Sequence, residues 1–187
     1  DSQRVAFLVW VKFSVYGGQI GCSGCVLHTL IGRYVLGRSN NIEETEISDL
    51  GLVVDLATSV SFANILPHFD VQGQTTFASK IRPDVETAFD KVRFQSVKAT
   101  IGNEVVGFGA IRDKEYITHL FVDVNYQGNG LGKLLLKHML ALSNGREVRL
   151  RASVNATKFY KSQGFVATDT ETEVSGIRFV PMVWVRT

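Results

Sequence analysis

Three glycines, Gly128, Gly130 and Gly132, stand at alternate positions between an apolar run and a leucine-rich segment that opens with Lys133. A helix that starts here presents unpaired backbone N–H groups and about half a positive charge at its N-terminus. Residues without a Cβ let an anion approach those amides closely, and Lys133 adds a charge in the first turn. The pattern predicts an anion site, with a diphosphate as its ligand.

Two phosphate-binding patterns do not fit this loop. The P-loop, G-x-x-x-x-G-K-[ST], requires a Ser or Thr after its lysine, whereas Leu134 follows Lys133. The dinucleotide fingerprint G-x-G-x-x-G requires its third glycine at the position of Lys133. That fingerprint also opens a parallel sheet, whereas antiparallel strands are predicted before this loop.

A second group of residues with chemical potential lies about 25 residues further on, in NATKFYKSQGF at positions 155–165. Asn155 offers an amide at the start of a short predicted helix, and Tyr160 offers a phenol that can give up a proton. Taken alone, this stretch is as typical of a helix cap followed by core aromatics as of a functional site.

The loop QGNGLG, residues 127–132, reads [QR]-x-x-G-x-[GA] and resembles the acetyl-CoA-binding motif of the GCN5-related N-acetyltransferase (GNAT) superfamily. The asparagine, Phe-Tyr and Gly-Phe of residues 155–165 are similar to that family's second signature. The stretch IGNEVVGFGAI, residues 101–111, looks like the hairpin that precedes its cofactor strand. The resemblance runs from about residue 42 to the C-terminus. It implies the GNAT (acyl-CoA N-acyltransferase) fold.

The resemblance also implies a binding site for acetyl-CoA or CoA as cosubstrate. Backbone amides of the loop would hold the pyrophosphate, and the edge of the preceding strand would pair with the pantetheine arm. An N–H near Phe121 or Val122 would stabilise the developing oxyanion, and Asn155 would bond the pantetheine arm and cap the short helix. The implied cofactor-binding residues are Leu120, Phe121, Val122, Gln127, Gly128, Asn129, Gly130, Leu131, Gly132, Lys133, Asn155 and Phe159.

The candidate catalytic residues are Tyr160, which the resemblance implies, and His119, which is a candidate general base because of its place on the cofactor strand. Tyr160 matches the family's tyrosine near the CoA sulfur and would be the general acid. Many relatives carry a glutamate on the cofactor strand where this chain has Thr118, which cannot act as a base. His119 is next to it, although strand alternation predicts that it points to the other face. Other candidate bases, and a base acting through water, stay open: Glu115, His68 and Asp70.

The implied function is an N-acetyltransferase that moves an acetyl group from acetyl-CoA to a primary amine by direct attack. The acceptor stays open among small amines, an antibiotic, a peptide N-terminus and a lysine side chain. The alternative is a GNAT-like CoA-binding module without catalysis, because the strand glutamate is absent at Thr118. No metal is expected.

The elements that must position these residues predict an α+β fold with a mixed central sheet flanked by helices. Strands are predicted at 92–100, 105–112 and 116–124, as an antiparallel meander, and further strands at 42–47, 148–154, 164–167 and 177–184. The predicted helix at 130–142 links strand 116–124 to strand 148–154, which makes those two strands parallel if they share a sheet.

Further helices are predicted from an N-cap at Ser48 through about residue 60, at 75–89 with a break at Pro83, and at 155–161. Pro181 predicts that the last strand lies at an edge or contains a bulge. The helix at 130–142 is expected to bury a leucine stripe, with Lys133 and Lys137 outside: Leu131, Leu134, Leu135 and Leu142.

The bulk composition is that of a globular domain: 187 residues, 45% apolar, 20% charged and a net charge of +2. Neither nucleic acid nor a membrane is expected as a partner. Residues 42–187 are predicted to form the GNAT domain, and residues 1–41 an extra apolar extension, as an added strand or an arm of a homodimer. Its apolar run, residues 5–11, is shorter than the ~20 residues of a bilayer span; a signal peptide stays open. Cys22 and Cys25 lack the second pair of a zinc site and fit a cytoplasmic protein.

Overall fold

The computed structural model of the chain describes residues 41–186, so the predictions for residues 1–40 lie outside it. The described part contains strands β1 (Asn41–Glu44), β2 (Phe94–Ile101), β3 (Glu104–Arg112), β4 (Tyr116–Val122), β5 (Glu147–Ser153), β6 (Val166–Ala167), β7 (Thr172–Val174) and β8 (Ile177–Val185). It also contains helices α1 (Leu50–Asn64), α2 (Val71–Thr87), α3 (Leu131–Leu142) and α4 (Thr157–Ser162), with short 3-10 helices at Ile47–Asp49, Leu66–His68, Val124–Tyr126 and Val154–Ala156. The predicted α+β class is confirmed.

All eight strands form one mixed sheet in the order β1-β2-β3-β4-β5-β8-β6, and β7 also pairs with β8. Strands β1 to β4 are an antiparallel meander, as the sequence predicts. The β3–β4 turn falls at Asp113 and Lys114, which both have positive φ, of 51° and 59°. Two positive φ values match the right-handed twist of the strands that such a two-residue turn connects.

Strands β4 and β5 are parallel, as predicted, but they pair only near their N-terminal ends. Tyr116 is in register with Arg149, and the N–H of Arg149 donates to the carbonyl of Glu115 at 2.8 Å. Helix α3 carries the chain from β4 to β5 across one face of the sheet. Because no further β4–β5 pair forms among the described residues, the two strands separate toward their C-terminal ends.

The core has one layer on each face of the sheet. Helix α3 covers one face with Leu131, Leu135, Leu136 and Met139, while α1 and α2 cover the other. A Cβ on Gly107 of β3 would lie 2.7 Å from Leu135 Cδ1, so glycine there lets α3 approach the sheet closely. The predicted leucine stripe needs one correction: Leu134 is 42% exposed, because the sheet meets the helix through the Leu135–Leu136 side.

Two local predictions about the first two helices are wrong. Ser48 is not an N-cap: the chain turns at Glu46, whose N–H donates to Asp49 Oδ2 at 2.8 Å. Pro83 does not break α2, which continues to Thr87. An interior proline costs about 3 kcal/mol, and burial of Phe77 and Val85 on either side of it offsets that cost.

The prediction that Pro181 marks an edge strand is also wrong. Strand β8 pairs with β5 along one side and with β6 and β7 along the other. On that second side, Pro181 lies opposite the interval between Ala167 and Thr172, where the two short strands are interrupted. Its carbonyl still accepts from the N–H of Thr168 at 2.9 Å.

The helical stretch Ile47–His68 is long and apolar enough, by length and composition alone, to cross a membrane, with a mean hydropathy of 1.5. Half of it is buried within the protein. Val53, Ala57 and Val60 are fully buried against the sheet. Packing in the core accounts for the apolar character of this stretch.

Candidate functional site

The glycine loop enters α3 through left-handed backbone. Gly128 and Gly130 have φ of 80° and 83°, and Gly130 is the N-cap residue of the helix. A Cβ built on Gly130 would meet no atom within 4 Å. The loop therefore presents an open, unobstructed backbone surface at the positive end of α3, where an anion would sit.

The amides of this loop are not capped by the described part of the protein. The first helical hydrogen bond of α3 runs from the N–H of Leu134 to the carbonyl of Gly130 at 3.0 Å. No side chain caps the helix, and within residues 41–186 no hydrogen bond occupies the N–H groups of residues 128–133. Lys133 is exposed beside them. The amides are free to bind an anion.

A cavity of about 250 Å³ lies over these amides. It brings together the end of β4, the glycine loop and α4. The lining residues are Val122, Gln127, Gly128, Gly130, Gly132, Lys133, Phe159 and Gln163.

Gln127 ties the loop to the strand before it. Its Nε2 donates to the carbonyl of Val122 at 2.9 Å, while its Oε1 is buried without a hydrogen-bond partner among the described residues. A buried amide oxygen without a donor is costly. The side chain therefore holds the loop in place and leaves one acceptor for a ligand in the cavity.

The edge of β4 that faces β5 is free along its C-terminal half. Leu120, Phe121 and Val122 pair with β3 on one side only and lie beyond the single β4–β5 pair. A free strand edge can accept an extended ligand as an added strand. This edge ends at the cavity, because Val122 also lines it.

A β-bulge in β4 decides where His119 points. Ala110 of β3 pairs with His119 and Ile111 with Ile117, so Thr118 is an extra residue in β4. Strict alternation would separate the side chains of Thr118 and His119, yet His119 Nδ1 lies 3.0 Å from Thr118 Oγ1. The prediction that His119 points away from the Thr118 side chain is wrong, because the bulge interrupts the alternation.

The His119 imidazole is neutral and buried. Its ring lies 5.8 Å from Phe108 and 5.9 Å from Phe121, and burial lowers its pKa to about 4. Thr118 Oγ1 donates to the carbonyl of Ala110 at 3.2 Å, so it accepts from His119 Nδ1–H. The lone pair of the imidazole is therefore on Nε2.

Tyr160 is fully buried, and its ring packs edge-on against Phe159 and Phe165, with centroids 5.0 and 5.5 Å apart. Among residues 41–186 its hydroxyl has no hydrogen-bond partner. Burial raises the pKa of Tyr160 well above its usual range. The phenol stays protonated at neutral pH and is a proton donor without an acceptor in the part of the chain that the structure describes.

The Asn155 amide is engaged by α1. Its Nδ2 donates to the carbonyl of Asn64, the last residue of α1, at 3.3 Å. Neither the 3-10 helix Val154–Ala156 nor α4 has a side-chain cap, so the predicted capping role of Asn155 is wrong. Its contact with a pantetheine arm stays a prediction.

Residues 65–186 of the chain match the family model described as an acetyltransferase (GNAT) domain. The chain belongs to the GNAT family. The match covers more than half of the chain and runs from the end of α1 to the end of β8, so it includes both motifs. The GNAT fold predicted from those motifs is confirmed.

Individual proteins are similar to this chain in sequence or in structure. The peptidyl-lysine N-acetyltransferase YjaB of Salmonella typhimurium is 36% identical over 73 residues, which cover 38% of this chain and 50% of that protein. The chain thus spans about half the length of this curated relative. A GCN5-related N-acetyltransferase from Rhodopseudomonas palustris has a TM-score of 0.67 at 18% identity, over 79% of this chain and 96% of that one. The PaiA N-acetyltransferase from Thermoplasma acidophilum, solved in complex with coenzyme A, has a TM-score of 0.64 at 18% identity, over 79% and 99%.

The other candidate bases of this GNAT domain are exposed. Asp70 Oδ1 accepts from the N–H of Gly73 at 2.6 Å, which makes Asp70 the N-cap of α2. Glu115 and His68 lie on the surface. Of the candidates, only His119 is buried on the cofactor strand.

Gln163 lines the cavity of the GNAT site but was missed by the sequence analysis. It lies four residues after Phe159, and that spacing puts two side chains on the same face of a helix. The helical spacing of Phe159 and Gln163 within the second motif predicts this shared position.

Burial of His119 is expected to make folding stability depend on pH. Its pKa is about 4 in the folded protein and about 6.5 in the unfolded chain, so between these values only the unfolded chain gains a proton. The contribution of His119 to the free energy of unfolding should be constant above about pH 6.5 and lower by about 2–3 kcal/mol at pH 4.5. Urea unfolding at pH 7 and 4.5 measures the difference.

The matched variants separate His119 from the rest of the chain. His119→Gln should lose the decrease in the free energy of unfolding that His119 causes between pH 7 and 4.5. His138→Gln, at a half-buried position on α3, should show the same decrease as the wild type. An unchanged pH dependence in His119→Gln would show that another group carries it.

Proposed function

We propose that the chain is an N-acetyltransferase that moves an acetyl group from acetyl-CoA to a primary amine by direct attack. The observation that carries this proposal is the row of uncapped amides at residues 128–133, which opens on a cavity at the free edge of β4. Membership of the GNAT family supports it, as does the acetyltransferase activity in the names of its relatives.

The site suits a substrate with a diphosphate and an extended arm. The pyrophosphate would lie on the loop amides, with Lys133 balancing part of its charge. The pantetheine arm would extend along the backbone of Leu120 to Val122. Gly130 leaves the space over the amides clear, since any larger residue would project a side chain into it.

Acetyl transfer requires a donor for the leaving sulfur. The amine nitrogen attacks the thioester carbonyl carbon, the C–S bond breaks, and the thiolate takes up a proton. The Tyr160 hydroxyl has no other acceptor and stays protonated, so we assign it this step. A backbone N–H near Phe121 or Val122 would hold the negative charge on the carbonyl oxygen during attack.

The acceptor amine must reach the thioester without its proton. The cofactor strand has no carboxylate among residues 116–122, and His119 is the titratable group buried there. Its Nε2 lone pair can accept a proton, although a pKa of about 4 makes it a weak base. We propose that the amine binds in its neutral form, with His119 as a local acceptor.

A GNAT-like CoA-binding module without catalysis is the second candidate. It is favoured by one observation: Thr118 stands where many family members have a glutamate, and its hydroxyl is tied to Ala110. The two candidates agree on CoA binding and differ in turnover.

Two measurements on the full chain test the proposal. CoA is expected to raise the melting temperature in a saturable way, and acetyl-CoA with a panel of amines is expected to release free thiol for at least one class. The panel contains small amines, an aminoglycoside, peptide N-termini and lysine peptides. Saturable CoA binding with no amine-dependent thiol favours the binding module. No thermal shift at millimolar CoA contradicts both candidates.

A further inference from the structure

The second face of β5 carries polar residues where the strand has left β4. Val148, Leu150 and Ala152 are buried in the core under α3, so Arg149, Arg151 and Ser153 project to the opposite face. Phe179 of β8 is in register with Ser153 and shares that face. The side of the sheet opposite α3 therefore carries Arg151, Ser153, Phe179, His119 and Phe121.

Arg151 has no acidic partner on this face. Its guanidinium lies 4.7 Å from the centroid of the Phe179 ring, and the residue is half-buried. Within the described residues no carboxylate lies within salt-bridge distance of it, and no hydrogen bond engages its donors. By contrast, Arg149, two residues earlier on the same face, pairs with Glu147 at 3.0 Å.

Two further hydrogen-bonding groups lie close to Arg151. The buried Ser153 Oγ has no hydrogen-bond partner within the described range 41–186. Two positions along a strand are about 7 Å apart on one face, which an arginine side chain spans. The second group is the phenol of Tyr116. Burial raises the pKa of Tyr116, and the nearby positive charge of Arg151 partly opposes that rise.

We propose that Arg151 binds a carboxylate of the acceptor, with Ser153 as a second donor. The inference rests on the proposed function, since it names the acceptor of that same site. A guanidinium offers a planar fork that matches the two oxygens of a carboxylate, and partial burial strengthens that pairing. The phenyl ring of Phe179 positions the Arg151 guanidinium by a cation–π contact, which leaves the N–H donors of the guanidinium available. The acceptor class is therefore an amine that also carries an acidic group, as a free amino acid or as a lysine beside an acidic residue in a peptide.

Matched acceptor pairs test the inference directly. For lysine, phenylalanine and a glycyl dipeptide, kcat/KM is compared between the free acid and the C-terminal amide. For a lysine peptide, kcat/KM is compared between a peptide with Asp beside the lysine and the same peptide with Asn there. The wild-type protein is expected to prefer an acid by about 10- to 100-fold, the range of a charge-assisted hydrogen bond. Preference among free amino acids or among peptides identifies the source of the carboxylate.

Two variants assign the preference to Arg151. Arg151→Gln should bring the acid-to-amide ratio close to one, and Arg151→Lys should retain part of it. Arg149→Gln, on the same strand and face, should leave the ratio unchanged. Unchanged stabilisation by CoA verifies that each variant is folded.

The outcomes separate this inference from the proposed function. Thiol release with equal rates for acids and amides, or a ratio that survives Arg151→Gln, overturns the carboxylate role and leaves the acetyltransferase in place. No thiol release with any amine overturns the proposed function and this inference with it.

Discussion

Replacing Tyr160 by phenylalanine is expected to slow acetyl transfer by about 100-fold or more, because general acid catalysis contributes about 10²–10⁴. The ring would keep its contacts with Phe159 and Phe165, so the site should hold its shape. CoA binding should stay within about twofold of the wild type, since the hydroxyl is assigned to the leaving sulfur and not to the pyrophosphate. Single-turnover thiol release and CoA titration measure the two effects separately.

The same substitution is expected to leave stability unchanged or to increase it. No residue in the described part of the chain forms a hydrogen bond with the buried Tyr160 hydroxyl, and an unsatisfied buried group costs about 1–3 kcal/mol. Removing it therefore relieves a cost in the protein without ligand. Slower transfer together with a raised melting temperature would show a group kept for chemistry at the expense of stability.

Tyr126→Phe is the matched control for this prediction. It removes the same atom from a surface tyrosine whose hydroxyl donates to Glu104 at 3.1 Å. We expect it to leave the rate of transfer unchanged. A Tyr160→Phe protein that turns over at the wild-type rate would remove Tyr160 from the mechanism.

Local patterns in the sequence were sufficient to predict the strands and the helix that surround the site. The glycines before α3, the turn at Asp113 and Lys114, and the period of two in residues 148–154 each act within a few positions of the chain. Helix termini, turns and strand faces depend on such short-range rules. The meander, the parallel crossover and the cavity over residues 127–133 follow from them.

Features that depend on pairing between distant segments of the chain could not be predicted from local sequence patterns. The bulge at Thr118 depends on the register of β4 against β3, and it reversed the predicted direction of His119. The amide of Asn155 is taken by Asn64, 91 residues earlier. Arg151 and Phe179 meet because β5 and β8 are neighbours in the sheet. Each of these contacts was invisible to a rule based on neighbouring residues.

Gly130→Asp is expected to weaken CoA binding by about 100-fold or more, which corresponds to about 2.7 kcal/mol. The new side chain would enter the open space over the loop and place a negative charge where the pyrophosphate is expected. Like charges in close contact cost several kcal/mol. Calorimetric titration with CoA measures the loss.

Gly102→Asp separates that effect from backbone strain. Gly102 lies in the β2–β3 turn at φ +63°, close to the +83° of Gly130, and a Cβ there also meets nothing within 4 Å. Asp is among the residues that tolerate left-handed backbone best, so both variants should lose similar and modest stability. At Gly130 the carboxylate also gains from the N-terminus of α3, about 0.3–1 kcal/mol. Only Gly130→Asp should lose CoA. If both variants lose CoA affinity equally, or if neither loses it, the loop amides do not hold the diphosphate. The assignment of this end of the site would then be wrong.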